Sequence, residues 1–490
     1  MPKDLLIHTG VAETCIALIS DGVLERYWQE QTIDDRAGGG AGRVGDIVLG
    51  RVQRVLPSME AAFVDIGSGR SGFLSARDVG SRIQQTASLP ARAFAREGDS
   101  ILVQIAKEPI GDKGARLTAK AALPGRYLVL VAEGSGIAVS RRIEDEAERS
   151  RLMSIMEGLA QGGAGTGYIV RTAAIGASAA ALADDAARLM RTWRGILAAR
   201  AKAEPPTMLF RELGLVERAL RDEADANLRA VLFDDARAAD AARAYAAEAV
   251  PNLARRIEHH IGGPSLFEHF GIEDAIAALA SPRVALPSGG WITIETTEAM
   301  TAIDVNSGKH VGGGNHEDLS LAVNLEAAEI VARQLSLREL GGLIVVDFIH
   351  LSRAENIASL TDVLRVALGR DRTPVEISPV SEFGLVAITR KRERGPLDAR
   401  HTESCTCCNG HGRRRTAASI ALEILRRAEH TAATAPGKAI VAFAAPEVAE
   451  WFHVHEDAIA PGLARRGAAQ WRVIAEPDRV RESFTVETQS

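Results

Sequence analysis

The sequence predicts a multidomain α/β chain with a small all-β barrel near its start, and three observations predict it. Its 490 residues suffice for roughly three or four domains. From Val44 to Ala122, short β-branched runs alternate with glycines, the pattern of a small barrel. Farther on, residues 284–394 alternate strand-like and helix-like patterns, and two of the strands end in aspartate.

DLLIHTG and TCIALISDGVLERYW read as two strands, followed by the glycine-rich loop RAGGGAGRVGD. The barrel strands are DIVLGRVQRVL, AAFVDIG, RSGFLSARDV, DSILVQIAKE and ARLTAKA. A mixed segment to about residue 210 holds the strands RYLVLV and TGYIVRT and an alanine-rich helix, Ser178–Ala203. Residues 211–281 read as largely helical. The end of the chain gives a helix at Ala417–Thr431, the strand KAIVAFA, a helix at Pro446–Val454 and the strand QWRVIAE.

Composition narrows the function classes. Hydrophobic residues make up 46% of the chain, enough for several buried cores. No run of about 20 apolar residues occurs and MPKDLLIHTG lacks a signal-peptide pattern, so a cytoplasmic protein is expected. A net charge of −6 excludes global attraction to nucleic acid. Polyanion binding then has to use local basic surfaces such as TRKRER (Thr389–Arg394) and Arg413–Arg415. Four cysteines, with Cys15 remote from the other three, exclude a disulfide framework and point to metal or redox chemistry.

Asp304 lies in the strand MTAIDVNSG and Asp347 in GGLIVVDF. Between them, Asp318–Leu340 repeats Leu319, Val323, Ala327, Ile330 and Leu335 near helical period. Strand, helix, strand makes a βαβ unit with parallel strands, which puts both aspartates at carboxyl ends in one sheet. With Asn306 alongside, the pair suits a hard, oxygen-preferring ion such as Mg²⁺. Aspartates also cap strands and start turns, so spacing alone leaves both readings open.

Three other motifs carry chemistry. Phe63 and Phe73 stand on successive barrel strands, where an OB-type face stacks single-stranded bases; core packing is the alternative for each. Lys113, in the loop IGDKGA, adds a candidate phosphate contact. In GYIVRTAAIGASAAAL, the Arg171 fork, the Thr172 hydroxyl and N–H groups near Gly176 compose a candidate anion seat, set against an ordinary strand–loop–helix with a solvated arginine. In HTESCTCCNGHGRRR, Cys405 and Cys408 have the C-x-x-C spacing of a zinc site, with Cys407 between them. A closed site needs four ligands, and His401 or His411 is within sequence reach.

The stretches VLPSMEAAFVDIGSGRSGFLSARD, GYIVRTAAIG, LPSGGWITIETTEAMTAIDVNSG, NLEAAEIVARQLSLRELGGLIVVDFI and the C-x-x-C-x-G-x-G loop, in this order, resemble the RNase E/RNase G family of bacterial endoribonucleases. The resemblance covers nearly the whole chain and is weakest in the first thirty residues and after Arg415. It implies an S1 RNA-binding domain over 41–122, inserted in an RNase H-like subdomain split between 1–40 and 213–282. It further implies a 5′-sensor region over 123–212 and a DNase I-like catalytic subdomain over 283–400. A zinc-link over 401–415 and a small C-terminal α/β domain over 416–490 complete the expectation. The length is expected to correspond to the catalytic half of the larger family members, without their long disordered arm.

By that resemblance, Asp304 and Asp347 hold a catalytic Mg²⁺ with Asn306 nearby. Phe63 and Phe73 stack RNA, and Lys113 approaches its backbone. Arg171 and Thr172 bind the 5′-monophosphate. Cys405 and Cys408 of two chains share one structural Zn²⁺, giving a homodimer, with a tetramer of two dimers as the larger form. The implied activity is Mg²⁺-dependent cleavage of single-stranded, A/U-rich RNA in RNA processing and decay. It is stimulated by a 5′-monophosphate and leaves 5′-phosphate and 3′-hydroxyl ends.

Two positions depart from the family pattern: His350 stands where another acidic residue is usual, and Ala387-Ile388 where Glu-Met is usual. Neither is an inferred Mg²⁺ ligand. The rival classes are an RNA-binding protein without catalysis and a hydrolase using zinc at the cysteines. A redox C-x-x-C protein fits poorly, since no thioredoxin-like βαβ is evident around the cysteines.

Overall fold

The computed structural model describes residues 2–32, 42–79, 96–109, 114–132, 134, 136–159, 165–225, 227–308, 316–392, 395–397, 402–403, 405–408, 410 and 412–489. It comprises two compact units, Met1–His401 and Thr402–Ser490. Among the described residues, no helix is long and apolar enough to cross a membrane.

Strands β1 (Lys3–Thr9), β2 (Glu13–Ser20) and β3 (Val23–Gln31) form an antiparallel meander. The run from Thr14, expected as one strand, is folded in two at Asp21 and Gly22, with φ of 49° and 78°. Two consecutive residues at positive φ make the tight turn that matches strand twist, and Asp-Gly is its local signal.

The five expected barrel strands are β4 (Ile47–Leu56), β5 (Ala61–Asp65), β6 (Gly72–Ser75), β7 (Ser100–Lys107) and β8 (Arg116–Thr118). They pair in the order β4-β5-β6-β8-β7, and β4 also pairs with β7, so the barrel closes. Alternate residues, Val48, Val52, Ala62, Val64, Leu74, Val103, Ile105 and Leu117, fill it.

A four-stranded sheet follows, in the order β11-β12-β10-β9. Its strands are β9 (Ala122–Pro124), β10 (Leu128–Val131), β11 (Gly136–Val139) and β12 (Gly167–Val170), with helix α1 (Glu146–Leu159) between the last two. Helix α2 (Ala179–Arg200) starts at Ser178, whose side chain accepts the Ala181 N–H as an N-cap. Its stripe of Leu182, Ala186, Leu189, Trp193 and Ile196 joins the sheet's core. Strand β13 (Thr207–Phe210) then returns to pair with β4.

Residues 211–281, expected to be largely helical, hold two strands besides α3 (Leu215–Glu223) and α4 (Ala236–Ala249). These are β14 (Leu228–Phe233) and β15 (Ile257–His259). LRAVLF is too short for a stable helix and buries Leu228, Val231 and Phe233, while the alanine-rich neighbours mask its pattern. β14 pairs in parallel with β1, and the sheet order is β15-β14-β1-β2-β3. One sheet is therefore assembled from two chain segments, with the barrel's residues between them in sequence.

The next sheet has the order β16-β17-β18-β19-β21-β20. Its strands are β16 (Arg283–Ala285), β17 (Trp291–Thr296), β18 (Met300–Asn306), β19 (Gly342–Asp347), β20 (Val375–Ile377) and β21 (Leu385–Arg390). β18 and β19 are parallel neighbours joined through α5 (His316–Leu337), the expected βαβ unit. α5 and α6 (Ala354–Gly369) supply Val323, Ala327, Val331, Leu335, Leu360 and Leu364 to a core with Ile292, Ile303, Ile344, Val346 and Ile388. These strand residues all point to one face. The opposite face carries the alternate residues and stays largely exposed.

In the second unit, β22 (Ala439–Ala444) is the centre of the order β23-β22-β24, parallel to β23 (Gln470–Ala475) and antiparallel to β24 (Thr485–Gln489). Helices α7 (Ala417–Thr434), α8 (Pro446–Val454) and α9 (Glu456–Arg465) pack on it through Ile420, Ile424, Val448, Phe452 and Leu463. α9 and β24 add to the expected elements.

Candidate active site

The carboxylates meet across one strand pair. Asp304 of β18 and Asp347 of β19 are register partners, so they project from the same face of adjacent parallel strands. Both are exposed, while Ile303, Val305 and Val346 beside them are buried. Asn306 sits two residues on, and its Nδ2–H donates to Asp304 Oδ2 at 2.6 Å, fixing one carboxylate oxygen. Two different causes explain the Gly-Gly before Trp291: Gly289 turns at φ 89°, and Gly290 lies against the neighbouring strand. A Cβ on Gly290 would lie 2.4 Å from the Asn306 carbonyl oxygen.

The loop after Asp347 is clamped by α5. Asn324 is fully buried; its amide donates to the Ile349 carbonyl (2.7 Å) and accepts the Ile349 N–H (3.0 Å). One helical repeat earlier, Glu317 accepts the Arg353 N–H at 2.8 Å, the Ser352 N–H at 2.9 Å and the Asn356 amide at 3.1 Å. Those donors, Arg353 first, hold the Glu317 carboxyl down to about 2. With buried Ser320 between them, Glu317 and Asn324 form a polar seam along α5 that apolar periodicity does not reveal. His350 is exposed on this loop. Ala387 lies on the open face opposite Val345, two residues from the Asp347–Leu385 pair.

On the barrel, Phe63 and Phe73 are register partners on β5 and β6, with ring centroids 6.0 Å apart and planes at 70°. Neither belongs to the barrel core; both are half-buried on the outer surface. Core packing is thus not their role. Lys113 lies outside the described residues.

Arg171 directly follows β12 and precedes Thr172, the first residue of a single 3₁₀ turn. Arg171 is already engaged: Nη1 donates to the Gly125 carbonyl (2.5 Å) and Nη2 to Asp222 (2.8 Å). Burial alone would raise the Asp222 carboxyl, but Arg221 and Arg171 outweigh it and hold it below its ordinary range. The Gly176 N–H is not free for an anion, since it donates to Glu148 at 2.8 Å. Thr172 is exposed and within 3.3 Å of the Ser140 hydroxyl. A cavity of about 1280 Å³ opens here, lined by Arg171, Thr172 and further arginines at 126, 142, 256, 365 and 372. These come from four different chain segments, so no sequence window reveals them.

The basic run at the end of β21 is partly structural. Arg390 is buried, bonding Asp371 through Nε (2.8 Å) and the Leu340 carbonyl through Nη1 (2.8 Å). Arg392 donates to the Gly341 carbonyl. In the second unit, Arg415 pairs with Glu423 at 2.8 Å.

Cys405 and Cys407 are exposed, and Cys408 is half-buried. The Cys405 carbonyl accepts the N–H groups of Cys408 and Gly410, and Gly412 N–H points at Cys408 Sγ (3.2 Å). N–H groups of Cys407 and Cys408 hold the Cys405 thiol below its ordinary range, a turn that suits thiolate ligands. Among the described residues, no cluster of three or more His, Cys, Asp or Glu is placed to hold a metal ion. His401 and His411 lie outside those residues.

Comparison with known proteins gives the chain's family. The model of the ribonuclease E/G family covers residues 122–393. That of the RNase E/G thioredoxin-like domain covers residues 404–489. The latter corrects the expectation that no thioredoxin-like unit accompanies the cysteines: the parallel β22–β23 pair and its helices follow them directly. The cysteines precede the first helix of that unit, outside any strand–helix junction. The chain is 36% identical over 496 residues to Ribonuclease G of Escherichia coli K12, spanning 99% of both proteins. It is 37% identical over 456 residues to Ribonuclease G of Haemophilus influenzae, spanning 91% of both. Ribonuclease E of Escherichia coli K12 is 36% identical over 438 residues, 88% of this chain and 40% of that protein. The chain belongs to the ribonuclease E/G family of endoribonucleases.

Proposed function

We propose that the protein is a Mg²⁺-dependent endoribonuclease that cuts single-stranded, A/U-rich RNA in the cytoplasm, in RNA processing and decay. The observation that carries this reading is the pairing of Asp304 with Asp347 on the open face of one sheet, with Asn306 bonded to the first. Two exposed carboxylates and an amide are the hard oxygen donors that Mg²⁺ takes, so Asp304 and Asp347 would hold it. When bound, the ion supplies charge to polarise the scissile phosphate and acidity to a water, leaving 5′-phosphate and 3′-hydroxyl ends. The chain's own part is orientation. Asn306 keeps Asp304 in one rotamer, and the Asn324–Ile349 bonds hold the backbone that leaves Asp347.

Around this centre we read the barrel as an S1 domain whose Phe63–Phe73 pair, with Lys113, receives unstacked bases. The sheet of residues 283–400 is read as DNase I-like, and the two-segment sheet as RNase H-like. The arginine-lined cavity beside Arg171 and Thr172 is read as the seat of a 5′-monophosphate that stimulates cleavage, with Asp222 yielding part of Arg171 to it. Cys405 and Cys408 would each supply one thiolate to a Zn²⁺ shared with a second chain, making a homodimer, or a tetramer of two dimers. His350 and Ala387 stand where the family carries acidic residues, a change that would either weaken the support of the ligands or alter the metal optimum and leaves the ligand set as it is.

The test compares wild type and Asp304→Asn on A/U-rich oligonucleotides with 5′-monophosphate or 5′-triphosphate ends in Mg²⁺. Loss of one carboxylate is expected to slow cleavage roughly a thousand-fold, several kcal/mol of lost charge stabilisation. Unchanged cleavage by the variant would sink the assignment. Binding without cleavage by wild type would favour a non-catalytic RNA-binding protein.

A further inference from the structure

The open face of the catalytic sheet holds a group that the proposed chemistry does not use. Arg283, Thr293, Asp304 and Asp347 are successive register partners across β16, β17, β18 and β19, and so stand in one lateral row on one face. In the adjacent row, Trp291 lies directly opposite Asn306. The Arg283 guanidinium lies over the Trp291 ring, 3.8 Å from its centroid. Arg283 is exposed, Trp291 is half-buried, and no carboxylate pairs with Arg283 among the described residues. At a strand spacing of about 4.8 Å, Arg283 starts about 10 Å from Asp304, a distance one nucleotide spans.

A surface arginine without an anionic partner is ordinarily mobile and hydrated. Here the indole beneath it holds the planar guanidinium as a plate 3.8 Å from the ring centroid, and the exposed arginine keeps its other side toward solvent. Guanidinium planes are surfaces on which unstacked bases lie, and their edges donate to phosphate. The row runs without interruption from this plate to the carboxylates.

We propose that Trp291 and Arg283 form a nucleotide-binding subsite beside the scissile position, with a base stacked on the outer plane of Arg283 and Trp291 supporting it from below. The proposal rests on the nuclease reading for its substrate, a single-stranded RNA. Trp291 is a positioning residue and Arg283 the contact.

The test uses the full chain and a 5′-monophosphorylated A/U-rich oligonucleotide, intact or with single abasic nucleotides placed in turn around the cleaved bond. For wild type, one abasic position is expected to raise KM by about 5- to 150-fold, the value of one lost stack. Arg283→Ala and Trp291→Ala are expected to raise KM for the intact RNA by the same factor and to erase sensitivity to that position. Arg283→Lys keeps the charge without the plane and behaves like Arg283→Ala; Trp291→Tyr retains the subsite. Because Arg283 is exposed, its variants test the idea even where a Trp291 change disturbs folding. An unchanged KM in Arg283→Ala, or full activity in Arg283→Lys, overturns it. Tryptophan fluorescence of the Asp304→Asn variant separates this from the parent reading. Quenching by the oligonucleotide that disappears in Asp304→Asn/Trp291→Tyr and Asp304→Asn/Arg283→Ala supports the subsite even if wild type cleaves nothing. Quenching unaffected by either change counts against it.

Discussion

Asn324→Leu isolates the device that holds the backbone beyond Asp347. The substitution keeps the side chain's approximate volume and removes both bonds to Ile349, at 2.7 and 3.0 Å. A net hydrogen bond contributes about 1 kcal/mol, so the pair accounts for about 2 kcal/mol. Ile349 is half-buried, so water reaches its freed groups in part and adds only about a further 1 kcal/mol of desolvation cost. The expected loss is therefore about 3 kcal/mol, read as a shift in the urea transition of the first unit. Activity should fall by more than stability explains, because freeing Ile349 loosens the chain two residues from a carboxylate. A displacement near 1 Å there costs on the order of a hundred-fold in rate. Both are measured on one preparation, with cleavage assayed far below the denaturation midpoint. Full activity in a destabilised variant refutes the positioning role; unchanged stability refutes the accounting of the buried amide.

Removing Arg390 (Arg390→Ala) leaves Asp371 buried without its partner and should cost about 3–5 kcal/mol, whereas Arg390→Met with Asp371→Leu should recover most of it, measured by urea unfolding. Glu317 has its carboxyl held below the ordinary value, so its contribution is complete above about pH 4.5 and is lost as pH falls toward about 2. Acid titration of stability should accordingly be flatter for Glu317→Gln over that window, and an identical acid profile would refute the assignment. If the proposed zinc-shared dimer forms, Cys405→Ser/Cys408→Ser, or treatment with a zinc chelator that spares Mg²⁺, should leave only monomer by light scattering. A chain that stays monomeric with zinc bound would rule out the shared site.

The barrel and the βαβ unit were legible because each rests on a local pattern: β-branched runs between glycines, and a helical period between two strands ending in aspartate. The β1–β14 pairing was not, since the six-residue run LRAVLF has no period and its partner lies at the other end of the segment. The candidate carboxylates were legible for the same local reason, with parallel strands placing Asp304 opposite Asp347. Their support was hidden. Glu317 and Asn324 are polar residues within an apolar helix pattern, and what they bond is backbone, which leaves no trace in composition. The basic run TRKRER illustrates the converse. Its sequence suggests a surface for polyanions, yet Arg390 is consumed by Asp371 inside the fold.

The two-segment sheet also has a consequence for the order in which the chain is made. Leu5 takes its place beside Val231, 226 positions later. At about 5–20 residues per second, roughly 10 to 45 s separate the emergence of β1 from that of its partner. The barrel strands between them emerge within this interval and close among themselves. The amino-terminal hairpin meanwhile presents an unpaired edge whose Leu5, Leu6 and Ile7 finish fully buried. On a polysome, that interval is when pairing with the same strand of a neighbouring nascent chain competes with completion of its own sheet.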